Sequence, residues 1–163
     1  MGEGAADRLA ELGLTLPPVP AALAAYLPAV RTGELIFTAG QLPLVDGALS
    51  VVGRVGAEVT EEQAYDGARQ AALNGIAAAA EAAGGLDRIA AVIKVVVYVA
   101  GVPEFTGQPK VANGASELIG AVFGDAGRHA RSAVGVASLP LNAPVEVELV
   151  VRVVPDPPRI VPA

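Results

Sequence analysis

The order of apolar and polar positions divides the chain into short segments of contrasting period. Residues 5–12 (AADRLAEL) carry helical spacing and stop at Gly13. The stretch 17–20 (PPVP) breaks regular structure and reads as an extended arm. Two strand-like segments, 26–31 and 34–40 (ELIFTAG), follow around a tight turn at Thr32-Gly33. Between 42 and 56, Pro43, Asp46-Gly47, Gly53 and Gly56 predict a loop-rich excursion holding one short hairpin.

A long helix is predicted next. Thr60 and Gln63 have capping-box spacing, and Glu61 and Glu62 suit the positive end of the helix dipole. Leu73, Ile76, Ala80 and Ala83 fall on one face, with Glu62, Asp66, Gln70 and Glu81 opposite, and Gly84-Gly85 ends the run. Its many alanines imply close approach to a sheet. Residues 89–99 (IAAVIKVVVYV) are β-branched and almost continuously apolar, the pattern of a strand buried on both faces. A second helix is predicted over 109–123, with Val111, Ala115, Leu118 and Val122 inward and Gly124 and Gly127 closing it. Strands at 131–138 and 145–154 are read as joined by the turn LPLNAP, and the tail PDPPRIVPA as an extended surface segment.

The order β-β-(β)-α-β-α-β-β predicts an α+β fold, a two-layer sandwich with two helices on one face of a sheet. The 163 residues suit a single domain with a sizeable core. Hydrophobic residues make up 53% of the chain and aromatics only 4%, so that core must come from Ala, Val, Leu and Ile. A mean hydropathy of +0.51 is high for a monomer and points to neighbouring subunits as the cover for the second sheet face.

Charge and composition remove several function classes. No apolar run reaches the roughly 18 uncharged residues of a membrane helix, because Lys94 interrupts the longest one. The first residues, MGEGAADRLAELG, lack an apolar signal core, so a cytoplasmic location is the default expectation. Without cysteine there is no disulfide, thiolate nucleophile or thiolate ligand, and a single histidine excludes a His-rich metal site. The net charge of −6 and scattered Lys and Arg argue against a nucleic-acid partner. No Gly-x-Gly-x-x-Gly turn, Walker loop or Gly-x-Ser-x-Gly elbow is present.

The remaining polar candidates sit among apolar strand residues. Arg131, in HARSAVGVA, needs a partner if buried, because desolvating a charge costs several kcal/mol. It either pairs with a structural carboxylate such as Glu146 or Glu148, lies at an exposed strand end, or receives a substrate carboxylate in its planar fork. Glu146 and Glu148 share one face of the strand PVEVELVV; they decorate a half-solvated strand, or one holds a water as general base. Asn113 falls beside the inner stripe of the second helix, Tyr26 and Gly40 have packing or strand-ending readings, and His129, which shares the parity of Arg131, either helps bind an anion or, the favoured reading, is structural. No reading of the residues alone decides among these.

Taken together, the segments resemble the RidA/YjgF family of reactive-intermediate deaminases. The resemblance rests on Tyr26 followed by Gly33, IFTAGQLP at 36–43, the loop from Gly53 to Gly56, EEQA at 61–64, IKVVVYV at 93–99, Phe105 through VANGASE, and ARSAVGVASLP at 130–140 with VEVE at 145–148. It spans about residues 26–152 in order, and the last block is the most specific. It implies a chorismate-mutase-like α+β sandwich with a mixed sheet, assembled as a homotrimer with sites in the clefts between subunits. The single RidA-like domain would have its core at about 26–154, an N-terminal extension at 1–25 and a Pro-rich tail at 155–163.

The resemblance also implies a reaction: hydrolysis of enamines and imines, such as 2-aminoacrylate and related 2-imino acids, to 2-oxo acids and ammonia, without cofactor or metal. Arg131 would bind the substrate carboxylate, Glu146 would position the attacking water, and Tyr26, Gly40 and Asn113 would line the cleft. Ala133 stands where many family deaminases carry cysteine. The competing functions are hydrolysis of another small carboxylated metabolite, a ligand-binding or chaperone-like trimer without turnover, and the ribonuclease or translation-inhibitor activity attributed to some relatives.

Overall fold

The computed structural model of the chain describes residues 4–19 and 25–155. Pro20 of the predicted arm, and the predicted tail beyond Pro155, lie outside the described residues. Helix α1 (Ala5–Glu11) comes first, and Gly13 follows it with φ 69°. Ala5 and Leu9 of α1 are buried in the common core, and the Arg8 Nε donates to the Val122 carbonyl at 2.7 Å, tying this segment to the rest of the fold.

Strands β1 (Ala29–Thr32) and β2 (Leu35–Thr38) form the first hairpin. Thr32 pairs with Leu35, so the turn is Gly33-Glu34, one residue later than the sequence reading. The reason is local: Gly33 has φ 58°, and a two-residue turn with its glycine first places positive φ there without steric cost. The loop-rich region holds the predicted small hairpin, β3 (Leu44–Val45) and β4 (Ala48–Leu49), turning at Asp46 and Gly47 with φ 51° and 82°.

Helix α2 (Glu61–Ala83) starts as predicted. The Gln63 N–H donates to Thr60 Oγ1 at 3.1 Å and the Thr60 N–H to Gln63 Oε1 at 2.9 Å, closing a capping box. Gly84 ends the helix in the left-handed region. Its alanines do bring it close: Ala64, Ala68, Ala71, Ala72 and Ala79 are fully buried, and a Cβ at Gly75 would stand 3.1 Å from Leu149 Cδ1. Helix α3 (Gln108–Phe123) lies beside α2, with Val111, Ala115, Leu118 and Val122 all at 0% exposure. Gly114 allows that approach, since any side chain there would run into the Tyr65 carbonyl.

The remaining strands are β5 (Ile89–Ala100), β6 (Ala130–Val136) and β7 (Val145–Val153). The sheet order is β1-β2-β7-β5-β6, antiparallel except for the parallel β5–β6 pair, which α3 connects. The expected β6–β7 hairpin does not form: β5 lies between them. The six residues 139–144 are long enough to cross one strand, roughly 10 Å at about 4.8 Å per strand spacing, and the turn residues do not encode which neighbour is chosen. The fold is thus a mixed sheet with α2 and α3 on one face, and the core lies between those layers.

One reading of β5 is corrected. Within the chain it is buried on one face only, with Val95, Val97 and Val99 at 0% exposure under the helices. Lys94, Val96 and Tyr98 alternate onto a half-open face, where Ile93, Val134, Phe37 and Val30 are 41–51% exposed. An almost unbroken apolar strand therefore has one of its two covers missing from its own chain.

Candidate functional site

The sheet register decides where each candidate side chain goes. Arg131 pairs with Val95, whose side chain faces the helices, so Arg131 also turns to the helical side, at the edge of the sheet. There α3 presents acceptors at turn spacing. The guanidinium Nη1 donates to Asn113 Oδ1 at 2.8 Å and to Ser116 Oγ at 3.2 Å, and Nη2 donates to the Pro109 carbonyl at 3.2 Å. All three acceptors are neutral. No carboxylate pairs with Arg131 among the described residues, and Nε takes no part in these bonds.

His129 adjoins the same group. Its Nε2 lies 2.9 Å from Ser116 Oγ and its Nδ1 lies 2.6 Å from the Gly127 carbonyl. The Arg131 cluster therefore draws on three elements: the edge strand, the outer face of α3, and the short 3-10 turn that precedes β6.

Glu146 belongs to a second cluster on the opposite sheet face. It pairs with Tyr98, and Glu148 pairs with Val96, so both carboxylates share the half-open face. The Tyr98 hydroxyl donates to Glu148 Oε1 at 3.1 Å. Burial pushes the Glu146 carboxyl above the usual range, and the neighbouring Glu148 charge pushes it the same way. Burial likewise raises the Tyr98 hydroxyl, helped by the Glu148 charge and hydrogen bond.

A local irregularity brings Gly40 to Glu146. The β2–β7 ladder pairs Phe37 with Val150 and resumes with Gln41 opposite Val147, so Thr38, Ala39 and Gly40 face only Glu148 and Leu149. Thr38 compensates, its Oγ1 accepting the Leu149 N–H at 2.9 Å. Gly40 packs directly on the Glu146 carboxylate, and a Cβ there would overlap it. The ladder reaches back to Pro28, whose carbonyl accepts the Ala39 N–H at 2.8 Å, so Tyr26 leaves the sheet at this end and is 59% exposed.

Four of the five predicted site residues thus fall into two groups. Arg131 and Asn113 meet at the β6 edge; Gly40 and Glu146 meet on the other sheet face, and the exposed Tyr26 joins neither group. Glu146 does not face Arg131: they stand level with Tyr98 and Val95 of β5, three residues apart and on opposite faces. Two contributors were missed by sequence reasoning. Ser116 sits three residues after Asn113 and shares its helix face, a spacing that would have found it. Tyr98 gave no signal, because its role depends on β5 and β7 pairing.

A concavity of about 460 Å³ lies apart from both groups, between residues 15–19, the β3–β4 hairpin and α2. No helix among the described residues is long and apolar enough to cross a membrane.

A mixed sheet backed by two helices, with a carboxylate cluster on its free face and an arginine on its edge, defines a chorismate-mutase-like α+β protein. The chain belongs to the YjgF (RidA) family: residues 6–153 match the family model described as "YjgF/chorismate mutase-like, putative endoribonuclease". It is 43% identical to Protein TCP17 of Trypanosoma cruzi over 148 residues, covering 90% of this chain and 92% of that one. It is similar to the crystal structure of Atu1372 from Agrobacterium tumefaciens, a protein of unknown function, at 46% identity, 90% coverage of each chain and a TM-score of 0.83. A crystal structure from Shewanella oneidensis matches at 35% identity and a TM-score of 0.89, covering 93% of this chain and all of that one. Family membership supports a RidA-type role.

Proposed function

We propose that the protein hydrolyses small enamine and imine carboxylates, 2-aminoacrylate and related 2-imino acids, to 2-oxo acids and ammonia, at sites formed between the subunits of a homotrimer. The observation that carries this reading is the state of Arg131. A part-buried guanidinium held by three neutral acceptors leaves its positive charge uncompensated among the described residues. Such a charge suits an incoming carboxylate, and the bonds to α3 fix the plane in which it is received.

The chemistry needs one further group at the reacting carbon. Once the enamine has tautomerised to the protonated imine, water adds to the imine carbon as Glu146 takes one of its protons. Glu146 returns that proton to the carbinolamine nitrogen, and the C–N bond breaks to release ammonia as the hydroxyl gives its own proton to Glu146 and becomes the carbonyl of the 2-oxo acid. A carboxyl raised by burial and by the Glu148 charge holds a proton more readily than an ordinary glutamate, which suits it to take and return one. Because Arg131 and Glu146 leave opposite faces of one chain, the pair that meets a single substrate must come from two chains. The half-open face carrying Val30, Phe37 and Val134 is the natural surface for that contact.

The test generates 2-imino acids with an amino-acid oxidase in the presence of semicarbazide. Wild-type protein should divert imine from semicarbazide and Arg131→Ala should not. If neither does so across several side chains while 2-oxo acids still bind, the protein is a carboxylate-binding trimer without turnover. The family description favours ribonuclease as a second reading. Seventeen acidic against eleven basic side chains weigh against it, and salt-sensitive RNA binding would restore it.

A further inference from the structure

The carboxylate site includes a histidine that neither the family resemblance nor the reaction above uses. The hydrogen-bond directions around it are fixed by chemistry. The Gly127 carbonyl only accepts, so His129 Nδ1 carries the hydrogen of that 2.6 Å bond. In the neutral ring Nε2 is then an acceptor, and the Ser116 hydroxyl donates to it at 2.9 Å. The same hydroxyl oxygen accepts from Arg131 Nη1 at 3.2 Å. The result is one directed chain: Arg131 to Ser116, Ser116 to His129, His129 to Gly127.

We propose that His129 is a positioning residue for Arg131, wired through Ser116. This rests on Arg131 being the carboxylate anchor. The chain holds Nη1 against α3 and so fixes the plane of the guanidinium.

The charged groups on the surrounding elements do not duplicate this role. Asp125 and Arg128, on the preceding turn, pair with each other at 3.3 Å. Glu117, next to Ser116 on α3, accepts from the Tyr65 hydroxyl at 2.6 Å, and Lys110 on the first turn of α3 lies 3.7 Å from Glu61. From β5, Lys94 donates to Ser132 on the other sheet face at 2.9 Å. Arg131 is the cationic group that His129 reaches through a hydrogen-bonded path.

The experiment measures the affinity of pyruvate and 2-oxobutanoate, reaction products that do not turn over, by calorimetry. It is done in a Glu146→Gln background at a single pH. His129→Ala, which releases the Ser116 hydroxyl, should weaken binding about three- to tenfold, and Ser116→Ala by a similar factor. Ser116→Thr, which keeps the hydroxyl, should restore it, and the double variant His129→Ala, Ser116→Ala should lose no more than either single one. Full affinity in His129→Ala or in Ser116→Ala, or losses that add in the double variant, overturns the proposal. If Arg131→Ala itself binds as tightly as its parent, the underlying carboxylate reading is what fails.

Discussion

Arg131 and Glu146 leave the sheet on opposite faces, separated by the width of β5. The register makes this a property of the backbone rather than of side-chain rotamers, because paired residues on neighbouring strands share a face. No rotation about χ angles brings the two into one site within a chain. If they serve one reaction, they do so across an interface, and that can be tested without locating the interface.

Arg131→Ala and Glu146→Gln should each abolish imine hydrolysis. Unfolded together and refolded as a mixture, the two variants should recover about a quarter of wild-type activity, the statistical share of sites that take an intact arginine from one subunit and an intact glutamate from its neighbour in a cyclic assembly. Refolding each alone gives the baseline. Absence of recovery, with mixed oligomers confirmed by mass spectrometry, would show that the two groups do not share a composite site.

The half-open sheet face should be what holds the subunits together. Val30 and Phe37 are directly opposed on β1 and β2, 51% and 46% exposed. Phe37→Asp places a charge in that patch while leaving the buried helical side untouched. It should give a monomer by light scattering, with unchanged far-ultraviolet circular dichroism and activity reduced at least tenfold. An oligomer of unaltered size would place the interface elsewhere.

The fold was legible in the sequence wherever local chemistry fixes it. Thr60 and Gln63 mark the start of α2, Gly84 its end, and the stripe from Val111 to Val122 the inner face of α3. What sequence did not carry is strand pairing. Alternation put Glu146 and Glu148 on one face, as found, but could not show that β5 would lie between β6 and β7. The relation of Glu146 to Arg131 depended on that order. Likewise the run IAAVIKVVVYV signals two covered faces, and one chain supplies only one cover. Arg131 and Asn113 share a cluster, and Ser116, the residue between Arg131 and His129, lies three residues after Asn113 on the same helix face, a spacing the sequence displays.

Gly40 is required by contact rather than by backbone conformation. The extra residue in the β2–β7 ladder sets its α-carbon against the Glu146 carboxylate, where a methyl group has no room. Because the obstructing atoms are the end of a flexible side chain, Gly40→Ala should displace Glu146 rather than unfold the protein. Turnover should fall tenfold or more while stability changes by about 1 kcal/mol or less, in the range of ordinary point substitutions. Steady-state kinetics and thermal melts together check it. A variant with normal turnover would mean that the position of Glu146 against Gly40 does not matter to the reaction.

Glu146 should also leave a signature in the pH dependence of both rate and stability. Burial and the Glu148 charge raise its carboxyl in the folded state above the ordinary glutamate value. The folded protein therefore holds this proton more tightly than the unfolded chain. The resulting stabilisation is complete below the unfolded value and is lost as pH rises through the folded one. Replacing the group by a neutral isostere removes the penalty at high pH and nothing at low pH. Glu146→Gln should thus raise Tm near pH 7 and have little effect near pH 4, while abolishing turnover at both. Glu148→Gln removes the like charge, so it should shift the acid limb of the wild-type rate profile to lower pH without abolishing activity. If Glu146→Gln destabilises the protein at pH 7, the carboxylate is making a favourable contact in the assembled protein, and its role as a raised-pKa base falls with that result.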